Sequence, residues 1–105
     1  MEQLSATEAA ARLREQPDTV LLDCRESEEL ELASIEGAVH IPMGEIPLRC
    51  DELDPERPVI VICHHGVRSA SVAAWLIDND FDAVANLKGG IDAWSRFVDA
   101  TVPRY

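Results

Sequence analysis

The sequence predicts an α/β fold in which a mainly parallel sheet carries helices on both faces. Three observations predict it. Short apolar runs alternate with segments of helical periodicity. The run Val59-Ile60-Val61-Ile62 is apolar at every position, as a strand covered on both faces should be. That run passes through Cys63 and a glycine-centred loop into an amphipathic segment starting near Val67.

The elements follow in order. Ser5 is the N-cap of the first helix, and Glu8 completes a capping box. Ala9, Leu13 and neighbouring alanines lie along this helix, and it ends before Pro17. Thr19 to Asp23 is a short apolar strand. Ser27 caps a second helix reaching about Ala33. Ala38 to Ile41 is a strand ended by Pro42. Gly44 to Leu53 holds a weaker helix with Pro47 near its start. Pro58 to Ile62 is the most apolar strand. Val67 to Asp78 is a helix, with Val67, Ala70, Ala74 and Ile77 as its buried face. Ala83 to Leu87 is the last strand. Ile91, Trp94, Phe97 and Val98 mark one face of a final helix. In parallel sheets the site lies beyond the carboxyl ends of the strands, and Cys63 stands at that edge.

Composition narrows the function classes. The 105 residues read as one domain, residues 1–105, with no second copy of the pattern. A chain of this size buries roughly 60–70% of its unfolded surface, enough for one core without disulfides. Three cysteines, Cys24, Cys50 and Cys63, are too few and odd in number for a disulfide framework. Met1-Glu2-Gln3-Leu4 lacks the basic and apolar regions of a secretory leader, and no run of about 18 apolar residues could span a membrane. A cytoplasmic location is the expectation. The balance of 9 Lys+Arg against 20 Asp+Glu argues against nucleic-acid binding. The acidic clusters at Glu26–Glu31 and Asp51–Glu56 read as solvated faces rather than as a docking surface for a basic partner.

The chemistry concentrates in Cys63-His64-His65-Gly66-Val67-Arg68-Ser69. A thiol here lies between a buried strand and a helix N-terminus. Helix-terminal amides and their partial positive charge favour thiolate over thiol. Arg68 adds a full positive charge, so the loop reads as an anion cradle with a nucleophile at its floor. The alternative, an inert core cysteine, fits this strand-end position less well. Gly66 serves a tight loop that needs positive φ or close backbone approach. His64 and His65 are read as lining the mouth and lending amides to the cradle. Adjacent histidines rarely face the same way and no third ligand has suitable spacing, so no metal site is expected. Ser69 is a second donor to the loop or a cap-like hydroxyl for its own helix.

Elsewhere the plainer readings prevail. Cys24 could be a resolving thiol but reads better as a small apolar strand residue. Cys50 has no evident partner. Asp23 and Arg25 read as a structural ion pair or cap near the site, Trp75 and Trp94 as core or pocket wall, and His40 as a satisfied structural histidine.

Four segments, in order, resemble those of rhodanese-type sulfurtransferases. Leu21-Leu22-Asp23-Cys24-Arg25 is similar to the family's apolar strand ending in Asp-x-Arg. Ile35-Glu36-Gly37-Ala38-Val39-His40-Ile41-Pro42 resembles its Ile-x-Gly-Ala-x-x-Ile-Pro segment. Cys63 to Ser69 resembles its active-site loop, and Asn86-Leu87-Lys88-Gly89-Gly90-Ile91-Asp92-Ala93-Trp94 its closing Leu-x-Gly-Gly-x-x-x-Trp segment. Ser34 departs from the His that often precedes the Ile-x-Gly-Ala run. The resemblance covers about residues 4 to 97 and implies a rhodanese-like sheet of about five strands, in the single-domain form.

It also implies a double displacement. The Cys63 thiolate takes the outer sulfur of a small anionic donor such as thiosulfate and releases sulfite. A thiol, cyanide or a sulfur-accepting protein then removes that sulfur from the Cys63 persulfide. Arg68 would bind the anion or steady the persulfide. No cofactor or metal is called for. Two other classes stay open: a phosphatase or arsenate reductase on the same fold, and a sulfur-carrier or protein-binding module with little turnover. Loop length separates the first, because four residues lie between Cys63 and Arg68. The related phosphatases are similar to C-x5-R, whose wider amide ring surrounds a tetrahedral oxyanion.

Overall fold

The computed structural model describes residues 1–105. Five strands, β1 (Glu2–Leu4), β2 (Val20–Asp23), β3 (Val39–His40), β4 (Val59–Ile62) and β5 (Val84–Leu87), form one sheet in the order β1-β5-β4-β2-β3. Every neighbouring pair is parallel, so the sheet is wholly rather than mainly parallel. The helices are α1 (Ala6–Glu15), α2 (Ser27–Leu32), α3 (Ile46–Arg49), α4 (Val67–Asp78) and α5 (Gly90–Phe97). These elements make the α/β, rhodanese-like architecture that the sequence predicts.

Alternation along the strands explains their all-apolar character. Val59 and Val61 of β4 enter one core with Val20 and Leu22 of β2, Val84 of β5, and Val72, Ala73 and Leu76 of α4. Ile60 and Ile62 point the other way, into a second core with Leu21, Ala85 and Leu87, Ala9 and Ala10 of α1, and Ile91 and Trp94 of α5. A strand with helices on both faces has no solvent side, so period-two polarity disappears.

Several local readings are corrected. β1 escapes notice because only Leu4 of its three residues is buried; it becomes a strand by pairing with β5. The cap of α2 is Glu26, not Ser27: its N–H is bonded by the Glu29 carboxylate at 2.9 Å, and Ser27 is the first helical residue. The segment at 44–53 is broken into a 3₁₀ turn at Met43–Glu45, the one-turn α3, and another 3₁₀ turn at Cys50–Glu52. The buried face of α4 is Ser69, Val72, Ala73 and Leu76, whereas Val67 is 77% exposed. A polar residue in that stripe hid it. Ser69 is buried because it is hydrogen-bonded, not because it is apolar. On α5, Ile91 and Trp94 are buried, but Phe97 and Val98 at its C-terminal end face outward.

The topology also places the site. From the middle of the sheet, β4 connects through α4 to β5 on one side, and β2 through α2 to β3 on the other. The crevice beyond the carboxyl ends of β4 and β2 is therefore the switch point of the sheet. Cys63 follows β4 there, and Cys24 and Arg25 follow β2.

α2 buries none of its own residues. Arg25 holds it instead. Its side chain is 0% exposed and pairs with Asp23 at 2.7 Å. Nη2 also donates to Ala33 O (2.8 Å), and Nη1 donates to Glu29 O (3.3 Å) and to the Tyr105 hydroxyl (3.0 Å). With Nε on Asp23 at 3.0 Å, all five guanidinium N–H groups find acceptors, which is what tolerates a buried cation. Arg25→Met leaves Asp23 as a buried, unpaired carboxylate and frees the last turn of α2. A loss of roughly 3–5 kcal/mol in urea unfolding is expected. A change within about 0.5 kcal/mol would contradict this account of α2.

Candidate active site

The site is built by strand, loop and helix in succession. β4 ends at Ile62, and the next residue, Cys63, is only 1% exposed. Gly66 turns the chain at φ 103°, a conformation that side chains resist. A Cβ there would also lie 3.1 Å from the Gly89 nitrogen. The turn brings the loop back over the thiol. Sγ of Cys63 accepts the N–H of Gly66 at 3.1 Å and that of Ser69, in the first turn of α4, at 3.3 Å. The Ser69 hydroxyl lies 3.3 Å from the sulfur. Val67 and Arg68, also in that turn, have no intrahelical acceptors for their amides.

Burial raises the thiol pKa, because it penalises the charged form. The Ser69 hydroxyl and the amides of Ser69, Gly66 and His65 outweigh it and bring Cys63 below the ordinary 9.0. Cys24, one residue beyond β2, shows the contrast. Burial first, then the neighbouring Cys63, pushes its thiol up to about 12. It has no comparable set of donors and packs as a core residue, as the sequence reading preferred. Cys50 is partly buried, its thiol 3.9 Å from Pro47 O.

Asn86 was missed in the sequence because a polar residue inside an apolar strand offers no periodic signal. It is buried in β5 beside Val61 of β4. Its Oδ1 accepts the Ser69 hydroxyl at 2.5 Å, while Nδ2 donates to Gly66 O at 3.2 Å and to Gln3 Oε1 at 2.9 Å. One side chain thus fixes both the turn and the serine. Ser69 has a single hydroxyl proton. When Cys63 is a thiol, its S–H can donate to Ser69 while Ser69 donates to Asn86. When it is a thiolate, that proton is drawn towards sulfur.

α5 grips the loop from behind. The N–H groups of Ile91 and Asp92 donate to the carbonyls of Cys63 (2.8 Å) and His64 (3.2 Å). This approach requires Gly90, where a Cβ would fall 2.3 Å from His64 O. The Gly89-Gly90 pair therefore belongs to the loop's support.

The other loop residues lie at the mouth. Arg68 forms a two-pronged pair with Glu29, Nη1 to Oε2 at 2.7 Å and Nη2 to Oε1 at 2.8 Å. That pair lowers the Glu29 carboxyl to about 2 against some opposing burial. It raises Arg68 above its ordinary range. His64 stacks on Tyr105 with ring centroids 3.8 Å apart and on His65 at 3.9 Å. The adjacent histidines thus face the same way, against the sequence expectation, and Asp92 joins them within 4.8 Å. Two of these three groups are already engaged: Asp92 pairs with Arg104 at 2.9 Å, and His64 Nε2 is 2.8 Å from Tyr105 O. His40 is satisfied as expected, its Nε2 2.6 Å from Arg25 O. Trp94 is core, and Trp75 packs against the core edge. The largest cavity, about 520 Å³ between Leu30–Glu36 and Asp99–Pro103, includes no residue of the Cys63 loop.

A sulfur held by amides over the switch point of a parallel sheet defines the class: α/β proteins that carry a cysteine on a short loop between a strand and a helix. The comparisons narrow it. The sequence profile of the Rhodanese-like domain matches residues 5–97. A sulfurtransferase of Allochromatium vinosum is 34% identical over 94 residues, covering 90% of this chain and 88% of that protein. Thiosulfate sulfurtransferase GlpE of Actinobacillus pleuropneumoniae is 38% identical over 87 residues, covering 83% and 81%. A rhodanese-like domain protein from Staphylococcus aureus superposes with a TM-score of 0.85 at 28% identity, covering 100% of this chain and 99% of that one. The chain belongs to the rhodanese-like family of sulfurtransferases.

The hydrogen bonds at Sγ make a pH prediction. The Cys63 thiol titrates below 9.0, so thiolate reactivity is present above that depressed value and is lost as pH falls through it. Iodoacetamide rates at Cys63, followed by peptide mass spectrometry, should reach half-maximum below pH 9.0. Ser69→Ala should raise that midpoint by about one unit, the size of one charge-assisted hydrogen bond. No shift would show that the serine does not act on the sulfur.

Proposed function

We propose that this protein moves a sulfane sulfur from a donor such as thiosulfate to cyanide or a thiol, through a persulfide on Cys63. The observation that carries this reading is the pair of amide donors, from Gly66 and Ser69, on the sulfur of Cys63. In the first half, the Cys63 thiolate attacks the outer sulfur of thiosulfate. The Cys63–sulfur bond forms as the sulfur–sulfur bond of the donor breaks, and its electron pair leaves with sulfite. Charge is conserved, with thiolate and dianion becoming persulfide anion and sulfite dianion. In the second half, cyanide or a thiolate attacks the terminal sulfur and the electron pair returns to Cys63. Loop amides and the start of α4 hold the negative charge in each state, since they are fixed before the reaction begins. His64, His65 and Val67 shape the mouth, and Arg68 flanks it with its charge offset by Glu29.

The donor is suggested by relatives named as thiosulfate sulfurtransferases. Neither half-reaction requires a metal or an organic cofactor. A cytoplasmic setting suits a thiol that must stay reduced, and no helix is long and apolar enough to cross a membrane. The four-residue spacing from Cys63 to Arg68 favours a ring sized for one sulfur atom over one that encloses a tetrahedral phosphate. A carrier role without fast turnover would use the same persulfide.

Incubation with thiosulfate should add one sulfur to Cys63, seen by intact mass, and cyanide should remove it as thiocyanate. Cys63→Ser should abolish both while leaving the circular dichroism unchanged; Cys24→Ser and Cys50→Ser should retain transfer. Persulfide formed without appreciable turnover would point to the carrier. Aryl phosphatase activity lost with Cys63→Ser would overturn the sulfur reading.

The loop-length argument has its own test. One glycine inserted between His65 and Gly66 should reduce transfer by at least tenfold, about 1.4 kcal/mol of transition-state stabilisation. Transfer at the parental rate would show that ring size is not the selecting feature.

A further inference from the structure

Around the mouth of the Cys63 loop, three carboxylates each meet a guanidinium. Asp23 is paired with Arg25, Asp92 with Arg104, and Glu29 with Arg68. The last pair matters most, because Arg68 is the one cation within the loop itself. Glu29 takes both of its Nη groups. Glu29 is itself held in place. Its Oε2 accepts the N–H of Glu26 at 2.9 Å, and its Oε1 accepts the Tyr105 hydroxyl at 2.8 Å. Tyr105 in turn accepts Arg25 Nη1 at 3.0 Å and stacks on His64. The pair is thus built into the scaffold and differs from a chance meeting of two surface side chains.

An anion arriving at Cys63 meets amides that can hold one negative charge at the transferring sulfur, and a neutral pair beside them. The chain as a whole carries a net charge of −11. A donor with a second negative charge gains no unpaired cation in return for approaching such a surface. Resting on the sulfurtransferase reading, we infer that Glu29 is a positioning residue which, by neutralising Arg68, tunes the site to sulfane donors of single negative charge, organic thiosulfonates and persulfides, over the thiosulfate dianion. For a thiosulfonate the balance is simple. The Cys63 thiolate takes the terminal sulfur, the donor's sulfur–sulfur bond breaks, and the electron pair leaves as an organic sulfinate. One anion is consumed and one released, with the persulfide anion left on Cys63.

A four-protein comparison tests this: the parent, Glu29→Gln, Arg68→Ala and the double variant, each checked for folding by circular dichroism. The first readout needs no sulfur transfer. It is the ratio of alkylation rates at Cys63 by iodoacetate, an anion, and iodoacetamide, its neutral counterpart, read on the Cys63 peptide. Taking the ratio cancels any change in thiolate fraction. The local charge relative to the parent is one unit higher in Glu29→Gln, one lower in Arg68→Ala and equal in the double variant. The ratio should rise on the order of fivefold in Glu29→Gln and fall by a similar factor in Arg68→Ala. It should return near the parental value in the double variant. The second readout is kcat/KM for thiosulfate relative to benzenethiosulfonate. It should follow the same order, through the KM for thiosulfate. A double variant as poor as Arg68→Ala in both readouts would make Arg68 a direct ligand of the anion and overturn the inference. So would four equal ratios. The expected alkylation order with no persulfide from either donor would instead sink the sulfurtransferase reading and the donor assignment, and would leave the charge control of Cys63 standing.

Discussion

The buried pair of Asp23 and Arg25 is the contact on which the rest of the site depends. A cation with no solvent exposure is tolerable only when every donor is used, and here a carboxylate, two carbonyls and a hydroxyl use all five. Those acceptors are spread through the chain. Asp23 ends β2, the carbonyls of Glu29 and Ala33 close α2, and the hydroxyl belongs to Tyr105. Satisfying one guanidinium therefore fixes where α2 sits. α2 contributes nothing buried of its own, so this polar anchorage replaces the apolar packing that holds α1, α4 and α5.

From α2 the constraint passes to the cysteine loop. Glu29 lies on that helix and takes Arg68 from the first turn of α4. On the opposite side, Asn86 holds Gly66 and Ser69 through one amide group. The N-terminus of α5 holds the carbonyls of Cys63 and His64. The loop is thus tied from α2, β5 and α5 at once. Preorganisation of this kind is what lets amide dipoles stabilise a thiolate without first reorienting, since burial by itself would disfavour the charge. Cys24 makes the point by contrast: the same crevice, similar burial and no comparable donors leave its thiol at about 12.

The rings of His64, His65 and Tyr105 stack at the mouth of the site.

Much of this was determined by the sequence alone. Val59 to Ile62 must be covered on both faces because no position is polar, and that alone demands helices on each side of a parallel sheet. The capping box of Ser5 and Glu8 starts α1 at Ala6. The cysteine, a glycine turn and a helix start lie within seven residues, so the Cys63 loop is a local property. The tertiary structure decided what depends on distant partners. β1 is a strand only through β5, and α4 rotates its true stripe inward because Ser69 finds Asn86. The pairing of Arg68 with Glu29 spans 39 residues, and that of Arg25 with Tyr105 spans 80. Periodicity reports which residues avoid water along one element. It carries no information on which buried polar groups must meet across elements, because those partners are chosen by hydrogen-bond geometry once the sheet has formed.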